Sequence, residues 1–225
     1  MRNLAIIPAR GGSKRIPNKN IRDFLGKPII AYSIEVAIES GLFEEVMVST
    51  DSTEIASIAR DYGAKVPFVR SEKSANDIAT LNDVYLEVFA AYQKQEVTFD
   101  NYCLILPTAP FISKKLIQKA FNLLLSSAFD SVRPVVPFEY PVQRAFKMKD
   151  SKVDFIYPEY ANTRSQDLEK AYHDAGMFYF IKAGKPMGGS NRGAFEIDPL
   201  LAQDIDDEAD WKMAEFKYNC LMQKA

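Results

Sequence analysis

Leu4-Ala5-Ile6-Ile7-Pro8 runs straight into Ala9-Arg10-Gly11-Gly12-Ser13-Lys14-Arg15-Ile16-Pro17-Asn18-Lys19-Asn20. The apolar run reads as a short buried strand, and the glycines that follow end it in a loop. Two glycines let backbone N–H groups come close to an anion. Arg10, Lys14, Arg15 and Lys19 add positive charge to the same loop. A loop at the C-terminal edge of a first parallel strand is where such sheets bind ligands, and a polyphosphate is the natural guest. The loop is not a Walker A motif, because no Gly-Lys-Ser/Thr follows at the required spacing. Nor is it Gly-x-Gly-x-x-Gly, because it holds only Gly11 and Gly12.

Beyond this loop the pattern alternates. The spacing of Ile29, Ile30, Ile34, Ala37 and Ile38 predicts a helix over Pro28–Ser40. A strand follows at Val46–Ser49, and Ser52 or Thr53 caps a helix to about Tyr62. Lys65–Val69 reads as a strand, Thr80–Gln93 as a long helix and Tyr102–Leu106 as a central strand. Ser113 caps a helix through about Leu125, and Ser131–Val136 is the next strand. This repetition predicts a three-layer α/β/α fold, mostly parallel, with helices on both faces of the sheet. After Val136 the rhythm breaks. Pro137, Pro141 and Pro158, with Phe138, Tyr140, Phe146, Phe155, Tyr157 and Tyr160, mark an aromatic-rich protrusion over about 138–174. Within it, Ala145–Lys149 and Val153–Tyr157 predict a hairpin around Asp150-Ser151. Exposed aromatics need covering, so the protrusion is the candidate dimerisation surface; the alternative is an insertion packed on its own body. Gly176–Lys182 returns to a strand, and Asp210–Gln223 is a final helix.

Composition bounds the function. With 225 residues, the chain suits one domain. Its 47% hydrophobic and 26% charged content is enough for a packed core and excludes disorder. A net charge of −2 argues against a broad nucleic-acid footprint. The apolar run at Leu4–Ile7 is too short for a signal peptide or membrane span, so a cytoplasmic chain is expected. Two cysteines, Cys103 and Cys220, lack zinc-type spacing, and both read as buried. The single histidine, His173, excludes a His-rich metal site.

Further blocks identify a family resemblance. Ile7-Pro8-Ala9-Arg10-Gly11-Gly12-Ser13-Lys14 with Pro17-Asn18-Lys19-Asn20 resembles the opening signature of the CMP-sialic acid synthetases, the CTP-dependent acylneuraminate cytidylyltransferases. Val48-Ser49-Thr50-Asp51, Arg70-Ser71-Glu72, Asp77-Ile78-Ala79-Thr80, Pro107-Thr108-Ala109-Pro110, Arg164-Ser165-Gln166-Asp167-Leu168 and Asp204-Ile205-Asp206 follow in the family's order. Within the family, the run Gln166–Gly176 is most similar to the pseudaminic acid cytidylyltransferases. Ala175 stands where sialic acid enzymes usually carry Asn; Met177 and Phe180 depart from the pseudaminic pattern, and Leu106 from the sialic one.

The resemblance implies a nucleotide-diphospho-sugar transferase-like fold. It implies a reaction of CTP with a nine-carbon 2-keto sugar acid, giving the CMP-sugar and pyrophosphate; the homodimer is expected from the aromatics of the protrusion. It assigns the phosphates to Arg10, Gly11, Gly12, Ser13, Lys14 and Lys19. Asn20, Arg70, Asp77 and Thr80 fall to the cytidine, and Arg164, Gln166, Asp167 and His173 to the sugar. Arg164 and Lys19, with Asp204 and Asp206, form the expected catalytic set. In an extended segment residues two apart face one side, so Asp204 and Asp206 can present two carboxylates to one Mg²⁺ beside a triphosphate. Asp207, Glu208 and Asp210 suit a helix N-terminus instead. The plainer alternatives are an ion pair of Arg70 with Glu72, a solvated loop at 164–167, and a structural His173. Two other classes fit less well. A glycosyltransferase would carry its metal motif after a middle strand, and a non-catalytic nucleotide-binding module has no use for the Asp pair.

Overall fold

The computed structural model describes residues 1–187 and 189–222. Its strands are β1 (Asn3–Pro8), β2 (Asp23–Phe24), β3 (Lys27–Pro28), β4 (Glu45–Ser49), β5 (Asn101–Ile105), β6 (Ser131–Pro137), β7 (Phe146–Lys149), β8 (Lys152–Phe155), β9 (Tyr172–Asp174), β10 (Phe178–Lys182) and β11 (Arg192–Glu196). Its helices are α1 (Ile29–Glu39), α2 (Thr53–Asp61), α3 (Glu72–Ala75), α4 (Leu81–Lys94), α5 (Lys114–Ser126) and α6 (Glu208–Met222). The central sheet has the order β11-β6-β10-β5-β1-β4, with β9 paired to β6. β1 runs parallel to β4 and β5, and β11 parallel to β6. β10 lies antiparallel between β5 and β6, and β9 antiparallel to β6. The sheet is therefore mostly parallel, as the alternation predicts, with two reversed strands.

The sheet is covered unequally. Ile7, Val48, Cys103, Ile105, Phe178 and Phe180 point to the face covered by α1, α2, α5 and α6. Leu4, Ile6, Met47, Tyr102, Leu104 and Ile181 point to the face where α4 packs through Val84, Tyr85, Val88 and Tyr92. The period-2 alternation splits each strand between two cores, which is why the strands read as continuous apolar runs. The helix starts follow local chemistry. Ser52 caps α2, Ser113 caps α5, and Thr80 closes a reciprocal capping box with Asp83 on α4.

Four expectations are corrected. Lys65–Val69 is not a strand: Lys65 makes one bridge to Met47, after which Pro67 offers no N–H to continue the ladder. Cys103 is buried, but Cys220 lies on the exposed side of α6. The final helix starts at Glu208 rather than Asp210, and Gln223 lies outside the described residues. The protrusion ends earlier than residue 174, because Tyr172–Asp174 pair with β6 in the main sheet. The hairpin forms as expected, with Asp150 and Ser151 both at positive φ (50° and 63°), the backbone of a tight two-residue turn.

Candidate active site

A cleft of about 320 Å³ opens past the C-terminal ends of β1 and β5. Arg10, Ser13, Lys14, Lys19 and Asn20 line one side, Arg70, Asp77 and Thr80 another, and Asp204 and Asp206 close it. Eight of the ten residues expected at the nucleotide therefore converge, although they come from segments up to 70 positions apart. Gly11 and Gly12 do not line it. The Gly11 N–H donates to Asp51 Oδ1 at 2.9 Å, so it is not free for a phosphate. No protein atom lies within 4 Å of a Cβ built on Gly12, and its φ is not positive, so the fold itself makes no demand for glycine there.

Loop cations are held by acids from elsewhere in the chain. Asp77 accepts from Arg10 Nη1 at 2.7 Å and from Lys14 Nζ, and these two donors hold its carboxyl below the usual range. Asp206 accepts from Arg15 Nη2 at 2.8 Å, with Lys19 Nζ at 3.8 Å. Lys19 Nζ also donates to the Ile205 carbonyl at 2.6 Å. Loss of water pushes the Lys19 ammonium down, while the charges of Asp206 and Asp204 push it up. Asn20 is buried and braces the loop through Nδ2 to the Arg10 carbonyl at 2.9 Å.

On the opposite wall, Arg70 is 5% exposed. Its Nε donates to Ser49 Oγ at 3.1 Å and Nη2 to the Ser49 carbonyl at 2.6 Å. The surface ion pair with Glu72 does not form. Burial pushes the guanidinium down to about 10, against the favourable charges of Asp51 and Glu87. Beside Arg70, Asn76 Oδ1 accepts from the N–H groups of Ile78 and Ala79, shaping the turn that carries Asp77. Ser74 and Asn76, outside the residues expected at the nucleotide, also line this wall. Their signal was the Ser-x-Asn spacing within the short helix α3 and its exit.

Ile205 is fully buried, and this fixes its neighbours. With the middle residue anchored in the core, Asp204 and Asp206 both face the cleft, the arrangement that the two-residue spacing predicts. Partial loss of water and the neighbouring Asp206 push the Asp204 carboxyl up. Asp210 Oδ2 accepts from the N–H groups of Asp206 and Asp207, and Asp207 Oδ1 from those of Ala209 and Asp210. These acids cap α6, and Glu208 pairs with Arg22 at 2.5 Å. No cluster of three His, Cys, Asp or Glu side chains suited to a metal exists among the described residues. The donor set is two carboxylates. That suits Mg²⁺, which completes its shell with substrate phosphates and water rather than with a protein cage.

A second cleft of about 530 Å³ adjoins the first and shares Leu106 and Asp204 with it. His173, Asp174, Ala175, Gly176 and Tyr179 line its floor. Gly176 takes a φ of +63°, which permits the turn into β10, and its N–H donates to Asp174 Oδ1 at 2.8 Å. Asp174 also accepts from Tyr179 Oη and Arg133 Nη1, both at 3.1 Å. His173 is exposed, with Nδ1 at 2.9 Å from the Asp174 carbonyl. Arg164, Gln166 and Asp167 are not brought here. They sit in and beside an exposed 3-10 turn (Ser165–Asp167) on the protrusion and line neither cleft. The segment is tied to the protrusion itself: Arg144 Nη1 donates to Ser165 Oγ at 3.4 Å and Gln143 Nε2 to the Glu169 carbonyl at 2.9 Å.

This geometry has counterparts. A structure of CMP:2-keto-3-deoxy-manno-octonic acid synthetase complexed with CTP superposes with a TM-score of 0.71 over 100% of both chains at 19% identity. The 4-diphosphocytidyl-2C-methyl-D-erythritol synthase of Anaerococcus prevotii gives 0.65 over 97% of this chain and 98% of its own, at 14% identity. Both show the shared fold. In sequence, the chain is 46% identical to the pseudaminic acid cytidylyltransferase of Campylobacter jejuni over 97% of each chain. It is 35% identical to the CMP-N,N'-diacetyllegionaminic acid synthase of Legionella pneumophila over 96% of this chain and 95% of the relative. A cytidylyltransferase family model matches residues 4–212, a span that begins in β1, contains both clefts' shared edge and the acid pair, and ends inside α6. A loop of cations at the end of the first strand, an inward Asp pair ahead of the last helix, and a match across nearly the whole chain agree, and the protein belongs to the cytidylyltransferase family.

Proposed function

We propose that this protein transfers CMP from CTP to pseudaminic acid, releasing pyrophosphate. The observation that carries the reading is the pair of joined clefts. One is lined by loop cations and the buried Arg70, the other is lined largely by neutral groups, and Asp204 stands on their shared border. The triphosphate and cytidine occupy the first cleft and the sugar acid the second. The anomeric oxygen then attacks the α-phosphorus in line. A new O–P bond forms, the bond to the β-phosphate oxygen breaks, and the hydroxyl proton is lost. Arg10, Ser13, Lys14 and Lys19 hold and neutralise the phosphates, and Arg70 and Thr80 hold the nucleoside. Such positioning and charge stabilisation supply most of the catalysis in phosphoryl-type transfer. Asp204 and Asp206 would hold Mg²⁺, which when bound supplies charge neutralisation at the phosphates.

Pseudaminic acid is favoured over N-acetylneuraminic acid by the 46% identity to an enzyme named for it and by Ala175, which lines the second cleft and offers no polar partner. An unpaired buried hydroxyl would cost ~1–3 kcal/mol there, whereas a deoxy methyl costs nothing. Arg164, Gln166 and Asp167 keep a role at the sugar through a two-fold dimer, in which one protrusion reaches its partner's second cleft. Phe146, Met148, Val153 and Tyr157, all exposed on the protrusion, supply the apolar surface for that contact. The test is pyrophosphate release from CTP with a panel of nonulosonic acids. Pseudaminic acid is expected to exceed N-acetylneuraminic acid in kcat/KM by about ten-fold or more. Release with neither acid would overturn the reaction, and a preference for N-acetylneuraminic acid would overturn the acceptor.

A further inference from the structure

Asp51 lies outside the nucleotide cleft, yet it is tied to the loop that lines it. β1 and β4 are parallel neighbours whose register ends on Pro8 opposite Ser49. The ladder continues one step further, with the Ala9 N–H donating to the Ser49 carbonyl at 2.9 Å. The next contact leaves backbone pairing: the Gly11 N–H donates to Asp51 Oδ1 at 2.9 Å. A Cβ built on Gly11 would stand 3.1 Å from Ser52 Cβ and 3.9 Å from Asp51 Oδ1, so glycine here lets the loop lie flat on the Asp51-Ser52 turn. That turn is itself fixed. The Ser52 N–H donates to Thr50 Oγ1 at 3.1 Å, and Ser52 Oγ caps α2 by accepting from the Ile55 N–H at 3.3 Å. On the far side of Gly11, the buried Asn20 holds the Arg10 carbonyl.

The geometry points to Asp51 as a positioning residue for nucleotidyl transfer: its carboxylate fixes the Gly11 amide and so sets where Arg10, Ser13 and Lys14 stand for the triphosphate. This rests on the reading of the first cleft as the CTP site. A charged acceptor makes a stronger hydrogen bond to an N–H than a neutral one. Without it, the backbone between Ala9 and Ser13 keeps the Asn20 brace and its own bond from the Ser13 N–H to the Gly11 carbonyl, Asp77 holds only the Arg10 and Lys14 side-chain ends, and the missing backbone order falls to the ligand at the ligand's expense. The effect is confined to the phosphates. Cytidine contacts the opposite wall, and Arg70 remains protonated at neutral pH with or without the Asp51 charge, since its own value is about 10.

The experiment is calorimetric titration of CTP and of cytidine into the full chain carrying Asp51→Ala or Asp51→Asn, with the Gly11 amide resonance followed in parallel. Asp51→Ala is expected to weaken CTP about ten-fold while cytidine is unchanged, and to move the Gly11 resonance. Asp51→Asn keeps an acceptor oxygen in place and is expected to stay within about three-fold of the parent for CTP. CTP binding by Asp51→Ala equal to the parent, or equal loss of CTP and cytidine, would overturn the proposal. So would an Asn variant as weak as the Ala variant. If Asp51→Ala does not fold, the Asn variant decides alone: CTP binding within about three-fold and a retained Gly11 resonance support the proposal, and a ten-fold loss overturns it. A parent protein that binds no CTP refutes the reading of the cleft instead.

Discussion

Replacing Arg70 with Met separates what this residue gives the fold from what it gives the site. Arg70 is 5% exposed and forms none of the ion pairs found among the described residues. Burial lowers its guanidinium from the ordinary arginine value to about 10. At 1.36 kcal/mol per unit, folding with the charge in place costs about 3 kcal/mol. The unfolded chain holds this proton to higher pH than the folded one, so stability gains nothing from the group below pH 10 and rises only as pH climbs from about 10 towards the ordinary arginine value. The two hydrogen bonds to Ser49 return about 1.5–3 kcal/mol each by the usual range for charged donors, which roughly cancels the penalty. Met fills the same channel without desolvating a charge, and the Ser49 carbonyl keeps the Ala9 N–H. Arg70→Met is therefore expected to leave Tm at pH 7.5 within a few degrees of the parent. CTP should bind about ten- to a hundred-fold more weakly, the value of one charged hydrogen bond to ligand. Scanning calorimetry and isothermal titration read the two quantities. A variant that loses many degrees in Tm and still binds CTP normally would show that Arg70 is a structural clamp, and the argument would fail.

Three further outcomes follow from the same geometry. Asp204→Asn and Asp206→Asn should keep the far-ultraviolet spectrum, because both side chains face the cleft and Ile205 carries the packing, while turnover at saturating Mg²⁺ falls by ~10²-fold; near-normal turnover in both would sink the metal assignment. Lys19→Ala and Arg10→Ala should weaken CTP far more than CMP, and equal losses in a titration would move these residues to the nucleoside. Sedimentation at micromolar concentration should give a dimer mass, and mixing an Arg164→Ala chain with an Asp204→Asn chain should restore part of the activity that each lacks. A monomeric mass would leave the protrusion's apolar face unexplained and remove Arg164 from the sugar.

How much was legible depended on whether the cause was local. The loop after β1, the capped starts of α2, α4 and α5, and the hairpin at Asp150-Ser151 rest on residues near one another in the chain, and their patterns survive folding. Asp204 and Asp206 face one cleft for a similar reason: an apolar residue between two acids has one low-energy placement once a core is available. What escaped was non-local. β11 and β9 are short, with mostly exposed alternate residues, and exist because β6 offers both its edges. Lys65–Val69 has strand composition, but it lies beside an edge with a proline where the ladder must continue. Asp51 closes the Val48-Ser49-Thr50-Asp51 block, but the block alone assigns it no role, because its contact is with a glycine amide 40 positions away. The exposure of Arg164, Gln166 and Asp167 follows from their segment being tied to Gln143 and Arg144 on the protrusion rather than to the sheet, which no local pattern encodes.

Charge balance explains why such a loop is ordered at all. Arg10, Lys14, Arg15 and Lys19 lie within ten residues and repel one another, so an unsupported loop would spread. Asp77 takes the first two and Asp206 the next two, and each acid comes from the opposite wall. These pairs are largely exposed, so each adds little to stability. Their effect is on geometry: they hold the cations across the opening through which a triphosphate must enter. An arriving phosphate competes with Asp77 and Asp206 for the same donors, and the acids it displaces are left beside it. For Asp206 this is favourable, because a carboxylate released from Arg15 and Lys19 next to Asp204 needs a cation of its own. If Asp204 and Asp206 hold Mg²⁺ as proposed, binding of the polyphosphate and recruitment of the ion would be coupled through one side chain: Arg15 and Lys19, which sit on Asp206 in the empty cleft, are the partners the phosphates would draw away.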